Sequence, residues 1–245
     1  DKVILDVGGP LCGLVALSLK SGKTLWKSES HGNDYSSPVP FFNAQQDLCL
    51  AFMRDGFFAV NLVNGQKNYF SSFRSPIDAS VNAASPLVLG NKVFISSCYE
   101  VGAGLWEYRK GEGSEKKSFQ QVWRKNDVLD CHFSTPVGHG GYLYGFHGRQ
   151  ERSPVLRCVR VKDGQVQWSE GSLGTGNLIR VENKILTKKK KGELVIFSTD
   201  FSKFKLLYRQ QVLGTGVKSH FAVADGMLVA RDSRRLICLD LNSYN

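Results

Sequence analysis

Apolar and polar residues alternate along this chain in short runs, and most runs end at a glycine-containing pair. Leu14-Val15-Ala16-Leu17-Ser18-Leu19 passes through Ser21-Gly22 into Thr24-Leu25-Trp26. The cadence returns at Phe57-Phe58-Ala59-Val60-Asn61-Leu62, followed by Asn64-Gly65. It returns again at Leu156-Arg157-Cys158-Val159-Arg160-Val161, followed by Asp163-Gly164 and Trp168. A fourth copy is Leu236-Ile237-Cys238-Leu239-Asp240-Leu241. A period of two is the strand period, because successive side chains leave a strand on opposite faces. Gly in the connecting pair accepts the positive φ that a tight hairpin imposes. The repeating unit therefore reads as strand, tight turn, strand.

Two further strands are predicted ahead of that hairpin, which makes four, A to D. Strand A opens on a small-residue and proline signature: Ser36-Ser37-Pro38-Val39, Ala84-Ser85-Pro86-Leu87 and Ser134-Thr135-Pro136-Val137. Degenerate copies are Asn177-Leu178-Ile179-Arg180 and His220-Phe221-Ala222-Val223. Proline is tolerated where a strand begins, since it need not donate to the ladder there. Gly90-Asn91, Gly140-Gly141, Glu182-Asn183 and Asp225-Gly226 turn strand A into strand B, the apolar runs at 48–52, 93–97, 142–146, 185–186 and 227–230. Strand D carries an aromatic: Trp26, Tyr69 or Phe70, Trp123, Trp168 and Tyr208. Repeats of about 40–50 residues built only from strands mark the blades of a β-propeller. The expected fold is all-β, with about six four-stranded blades, four complete and two partial.

The ends set the count. Asp1-Lys2-Val3 matches the turn into strand B, as in Gly90-Asn91-Lys92-Val93, so the first blade lacks a strand A. The last blade stops after strand C. The parse gives three strands, four blades of four and three strands, 22 in all. Propellers usually close by completing one blade from both chain ends, which removes open edges. Residues 1–245 are therefore expected to be one domain, the C-terminal part of a seven- or eight-bladed propeller. Missing N-terminal blades or a partner would close the ring.

Register assigns roles to particular residues. Ala16, Ala59, Cys158 and Cys238 share one column of strand C. That column is expected to be buried between blades, with free Cys serving as a small hydrophobe. The strand D aromatic is expected to wedge against the turn of the next blade. The six cysteines, at 12, 49, 98, 131, 158 and 238, show no CxxC or other metal-like spacing. Cys98 and Cys131 fall near the same rim, and whether they pair is left open. An insertion in the third blade, residues 110–117, is expected to be mobile.

Charge narrows the partners. The formal net charge is +10, which favours acidic ones. The densest run, Lys188-Lys189-Lys190-Lys191, lies between strand-like stretches at 183–187 and 193–198 and reads as a solvated hairpin loop. Nucleic-acid binding would add exposed aromatics beside the charge, and none flank this run. No apolar run reaches the ~18 residues of a membrane helix. No leader is visible, since Asp1 opens directly into Val3-Ile4-Leu5-Asp6-Val7.

The repeat "xLVALxxxSGKxLW" with a following "SSPV", clearest at residues 13–26, 57–66 and 156–168, resembles the propeller repeat of the pyrroloquinoline quinone (PQQ) type. The stretch Gly141-Tyr142-Leu143-Tyr144-Gly145-Phe146-His147-Gly148 resembles bacterial secreted or periplasmic PQQ-like proteins related to the outer-membrane assembly lipoprotein. The resemblance implies a propeller, often eight-bladed, and a periplasmic or secreted location. Members divide into quinone-dependent dehydrogenases and non-catalytic scaffolds. The dehydrogenases share a disulfide between adjacent cysteines, a Trp beneath the quinone, and calcium held by Glu and Asn near a catalytic Asp. This chain has no Cys-Cys pair, and Trp26, Trp106, Trp123 and Trp168 fall outside the axial stacking position. No catalytic residue is carried over.

In a four-stranded blade the D–A and B–C loops share one face, around the mouth of the channel, and loops on a rigid scaffold carry function. The candidate binding residues there are Asp78, Asn82, Asp130, His132, His147, Arg149, Thr175 and His220. Gly-Thr-Gly occurs at 174–176 and 214–216, but no helix follows, so it reads as a repeated turn rather than a phosphate cradle. No nucleophile–base pair, metal set or nucleotide loop is recognisable. The reading is a non-catalytic, protein-binding scaffold with no cofactor. The alternative is a quinone-dependent or degenerate quinone-binding dehydrogenase, which would take PQQ with calcium.

Overall fold

The computed structural model describes residues 1–110, 117–215 and 219–242. The greater part of the predicted mobile insertion, residues 111–116, lies outside them. The described residues form 22 strands in six antiparallel sheets. They divide into two compact units, residues 1–133 and 134–245. None of their helices is long and apolar enough to cross a membrane.

The first unit holds three sheets. These are β1 (Lys2–Asp6) to β3 (Thr24–Lys27) with β2 (Leu14–Ser18) between; β4 (Val39–Phe41), β5 (Leu48–Met53), β6 (Gly56–Asn61) and β7 (Lys67–Ser72); and β8 (Leu87–Leu89), β9 (Lys92–Ser97), β10 (Gly102–Lys110) and β11 (Lys117–Lys125). The second unit repeats the plan. It has β12 (Val137–His139), β13 (Tyr142–His147), β14 (Val155–Arg160) and β15 (Val166–Glu170); β16 (Gly176–Val181), β17 (Lys184–Lys189), β18 (Glu193–Ser198) and β19 (Leu206–Gln211); and β20 (Ala222–Ala224), β21 (Met227–Arg231) and β22 (Leu236–Asp240). Every sheet runs in chain order. The three-stranded first and last sheets match the parse from sequence.

Each core lies between neighbouring sheets, and alternation decides which one a side chain enters. On β5, Leu48, Leu50 and Phe52 pack with Val93, Ile95 and Trp106 of the third sheet. Cys49, Ala51 and Met53 pack with Leu14, Ala16 and Trp26 of the first. In the second unit Ile185 and Val195 join Tyr144 and Cys158, while Leu186 and Leu194 join Leu228 and Ala230. Burying each large side chain contributes ~1.5–3 kcal/mol, so a strand covered on both faces anchors two cores at once.

One device recurs in all five C–D hairpins. The strand D aromatic stands opposite the strand C column, and the register then shifts by a bulge. The pairs are Ala16↔Trp26, Ala59↔Tyr69, Leu105↔Trp123, Cys158↔Trp168 and Ile196↔Tyr208. A bulge increases local twist and re-aims side chains. Trp26 and Trp168 turn their indoles onto the following blade, where Nε1 donates to Leu62 O (3.1 Å) and Asp200 O (3.0 Å), one and two residues past strand C. Tyr69 is the second blade's wedge, against Phe119 of the third sheet, whereas Phe70 is exposed.

Three expectations are corrected. Ala16, Ala59 and Cys158 are fully buried, but Cys238 is exposed, because no further sheet among the described residues follows β22 to cover it. The column also admits the larger Leu105 and Ile196 in the third and fifth blades. The lysine run is not all loop: Lys188 and Lys189 belong to β17, and Lys188 is only 3 % exposed.

Candidate functional site

In the first unit the D–A and B–C loops are knitted together around Asp34, whose side chain is only 3 % exposed. Its Oδ2 accepts the Asn82 N–H (2.8 Å), its Oδ1 accepts the Tyr35 N–H (3.1 Å), and its own N–H donates to Asp6 Oδ2 (3.2 Å). Burial pushes both the Asp6 and Asp34 carboxyls up. For Asp34 the Asn82 and Tyr35 N–H groups and Arg54 pull the other way. Asn82 is buried, and its amide donates to Met53 O (2.9 Å) and Phe73 O (3.3 Å). A buried amide whose bonds close on backbone carbonyls is a framework group.

Asp78 has a fully exposed side chain, 3.8 Å from Arg54 and 3.6 Å from Arg74. Arg54 also donates to the carbonyls of Ser80 and Asp78, which holds the loop between the second and third blades. Asp130 closes a turn by accepting the N–H groups of Asp127 (3.0 Å) and Val128 (3.3 Å). Its carbonyl accepts the Cys98 thiol at 3.0 Å. Cys98 and Cys131 thus lie on adjoining segments, with no disulfide between them. His132 is buried, and its Nε2 lies 2.8 Å from Tyr99 Oη.

Around these residues lies an aromatic group that reasoning from titratable residues missed. His132 and Phe133 have ring centroids 4.2 Å apart, and Phe133 meets Tyr35 edge-on at 6.2 Å. Tyr35 is 70 % exposed, Phe133 42 % and the nearby loop residue Ile77 43 %. Tyr99 and Glu100 both adopt left-handed backbone, with φ of 65° and 66°. Such conformations in non-glycine residues are strained, and they persist where the surroundings over-determine them. Here the Ser75 hydroxyl holds Tyr99 O at 2.8 Å and the His132 ring holds its phenol. The signal in the sequence was the aromatic residue type itself at loop positions 35, 99 and 133.

The second unit holds the other four candidates. His147 ends β13 and is half-buried. Arg149 pairs with Glu151 at 3.6 Å. Thr175 O accepts the Lys190 N–H at 3.3 Å. His220 is exposed ahead of β20. Gly176 begins β16 and Gly214 donates its N–H to Asp232; residue 216 lies outside the described residues. Among the described residues no group of three or more His, Cys, Asp and Glu could hold a metal ion. Trp106 is fully buried, with the rings of Phe57 and Phe73 packed against it.

Comparison with known proteins follows the fold. The family model of the outer membrane protein assembly factor BamB matches residues 12–243. Among solved structures, BamB from Moraxella catarrhalis superposes with a TM-score of 0.70 at 15 % identity, over 97 % of this chain and 69 % of that one. AztD from Citrobacter koseri gives 0.59 at 12 %, over 94 % and 64 %. The quinohemoprotein alcohol dehydrogenase from Comamonas testosteroni gives 0.58 at 11 %, over 86 % and 42 %. At these identities the likeness concerns fold alone, and the chain spans less than two thirds of the last two. No curated protein sequence matches significantly.

Proposed function

This chain belongs to the family of the outer membrane protein assembly factor BamB, and from that premise we propose that it is a non-catalytic, protein-binding propeller whose first-unit loop face receives a partner. The supporting observation is the exposed Tyr35–Phe133 pair, backed by His132 and Tyr99. Tyr and Phe on an already ordered surface bring large apolar area to an interface at little cost in side-chain freedom. The Asp34–Asn82 and Arg54 bonds keep the surrounding loops ordered before binding, which favours affinity. The family relationship supports a periplasmic or secreted location and work at the cell envelope. The dehydrogenase alternative draws support from fold likeness only.

The experiment is capture from native envelope extract on immobilised protein, wild type against the double variant Tyr35→Ala/Phe133→Ala. A specific band retained by wild type and lost from the variant, at equal melting temperature, supports the reading. Identical capture by both removes the aromatic face from it.

A further inference from the structure

The positive charge is not spread evenly. Residues 134–245 hold 18 Lys and Arg against 9 Asp and Glu, whereas residues 1–133 hold 14 against 13. In the second unit much of the surplus stands on the B–C connections. Arg149 and Arg152 lie between β13 and β14, Lys190 and Lys191 between β17 and β18, and Arg234 and Arg235 between β21 and β22. The first unit offers no counterpart. Residues 7–13 carry no charge, Arg54 is offset by Asp55, and the third connection holds only Glu100.

The three basic connections leave the same edge of their sheets. Two are fixed to the preceding D–A loop: Lys190 N–H donates to Thr175 O (3.3 Å), and Asp232 Oδ2 accepts the Gly214 N–H (2.8 Å). In or at the ends of each connection one cation is held by a local carboxylate, in Arg149–Glu151 (3.6 Å), Lys189–Glu193 (2.7 Å) and Arg235–Asp232 (3.4 Å). Beside these pairs, Arg152, Lys190, Lys191 and Arg234 are exposed and make no ion pair among the described residues.

We propose that this rim docks an acidic segment of a partner protein. The proposal takes the class of partner from the protein-binding reading and places it on loops of the second unit, on residues other than Tyr35 and Phe133. Arg presents a planar fork that matches a carboxylate, and aligned opposite charges steer association and fix register. Other polyanions fit less well. The rim has no exposed Phe, Tyr or Trp among the described residues on which bases could stack. Its large exposed apolar side chain is Leu236, too small a surface to anchor in lipid. The interspersed Glu151, Glu193 and Asp232 disfavour a densely charged lipid or phosphate backbone but leave room for spaced carboxylates.

The test is anisotropy of a labelled oligoglutamate peptide against wild type, the quadruple variant Arg152→Glu/Lys190→Glu/Lys191→Glu/Arg234→Glu, and Tyr35→Ala/Phe133→Ala. Parallel arms use duplex DNA and phosphatidylglycerol vesicles. The expected result is salt-sensitive peptide binding by wild type, weakened at least about tenfold in the quadruple variant and unchanged in the aromatic one. Melting temperatures of all three proteins control for folding. Absent peptide binding, or equal binding by the quadruple variant, overturns the proposal. So does tighter binding of DNA or vesicles than of peptide. The aromatic-face reading fails separately, through unchanged capture by its own variant.

Discussion

The indole of Trp26 lies where a side chain on Gly65 would have to go: a Cβ built there would stand 2.5 Å from Cε3 of the ring. The wedge on one blade thus seals the C–D turn of the next, and that turn has room for hydrogen alone. Gly65 also has φ +74°, so a side chain would be strained as well as crowded.

Gly65→Ala is therefore expected to cost ~1–3 kcal/mol or more by overpacking. The equivalent Gly22 has φ +68° but nothing within 4 Å of a built Cβ, so Gly22→Ala should show the strain without the clash. Urea denaturation of the two variants separates the effects. Similar losses at both positions would mean the indole does not hold its place. Trp26→Ala removes the wedge itself and should cost ~3–5 kcal/mol.

Ala59→Leu should cost ~1–3 kcal/mol, because Ala59 is fully buried between the second and third sheets. Cys238→Leu, in the same column but exposed, should stay within ~0.5 kcal/mol of wild type. Ser18→Leu, on half-exposed β2, should also leave the melting temperature nearly unchanged. A loss at Ser18 equal to that at Ala59 would mean that Ser18 is enclosed as tightly as the column.

Asp232 sets an acid limb. It accepts the N–H groups of Gly214, Arg234 and Arg235, and these bonds, with the Arg235 charge, hold its carboxyl well below the usual carboxylate range. A depressed folded pKa stabilises the fold above the unfolded value of about 4 and loses that contribution as pH falls through the folded pKa. Asp232→Asn should be less stable than wild type at pH 7. The gap in urea midpoint should shrink as pH falls below about 4. A gap independent of pH would assign the effect to packing.

PQQ with calcium is expected to leave the melting temperature unchanged. A ligand of the folded state at a hundred times its dissociation constant adds ~2.7 kcal/mol, which a thermal scan would register. A reproducible rise of several degrees, with dye reduction on adding an alcohol, would favour the dehydrogenase reading.

Much of the fold could be read from residues because its signals repeat. Trp26 and Trp168 each donate to a carbonyl just past strand C of the following blade, and each follows the same alternating run and turn. Cys238 escaped the column rule because burial there comes from a following sheet, which the residue itself does not encode. Lys188 escaped because four lysines in a row read as a solvated loop. The middle of β17 is covered on both faces, so Lys188 there is buried, and burial draws its pKa down. In the candidate site, Asn82 was chosen as a polar loop residue, yet its hydrogen bonds are consumed by backbone. Tyr35 and Phe133 form a site only through their ring contact, which depends on two loops far apart in sequence.

The cysteines form a built-in set of reporters. Desolvation pushes the Cys49 and Cys158 thiols up to about 12, and Cys131 is raised further still. Since the thiolate is the reactive form, these sulfurs are silent toward alkylating reagents while the blades stay closed. Cys238 is exposed and Cys12 half-buried, so with Cys12 replaced Cys238 is the natural attachment point for a single dye or spin label. Alkylation of Cys49 then times the opening of the seam between the first and second sheets, and alkylation of Cys158 that between the fourth and fifth.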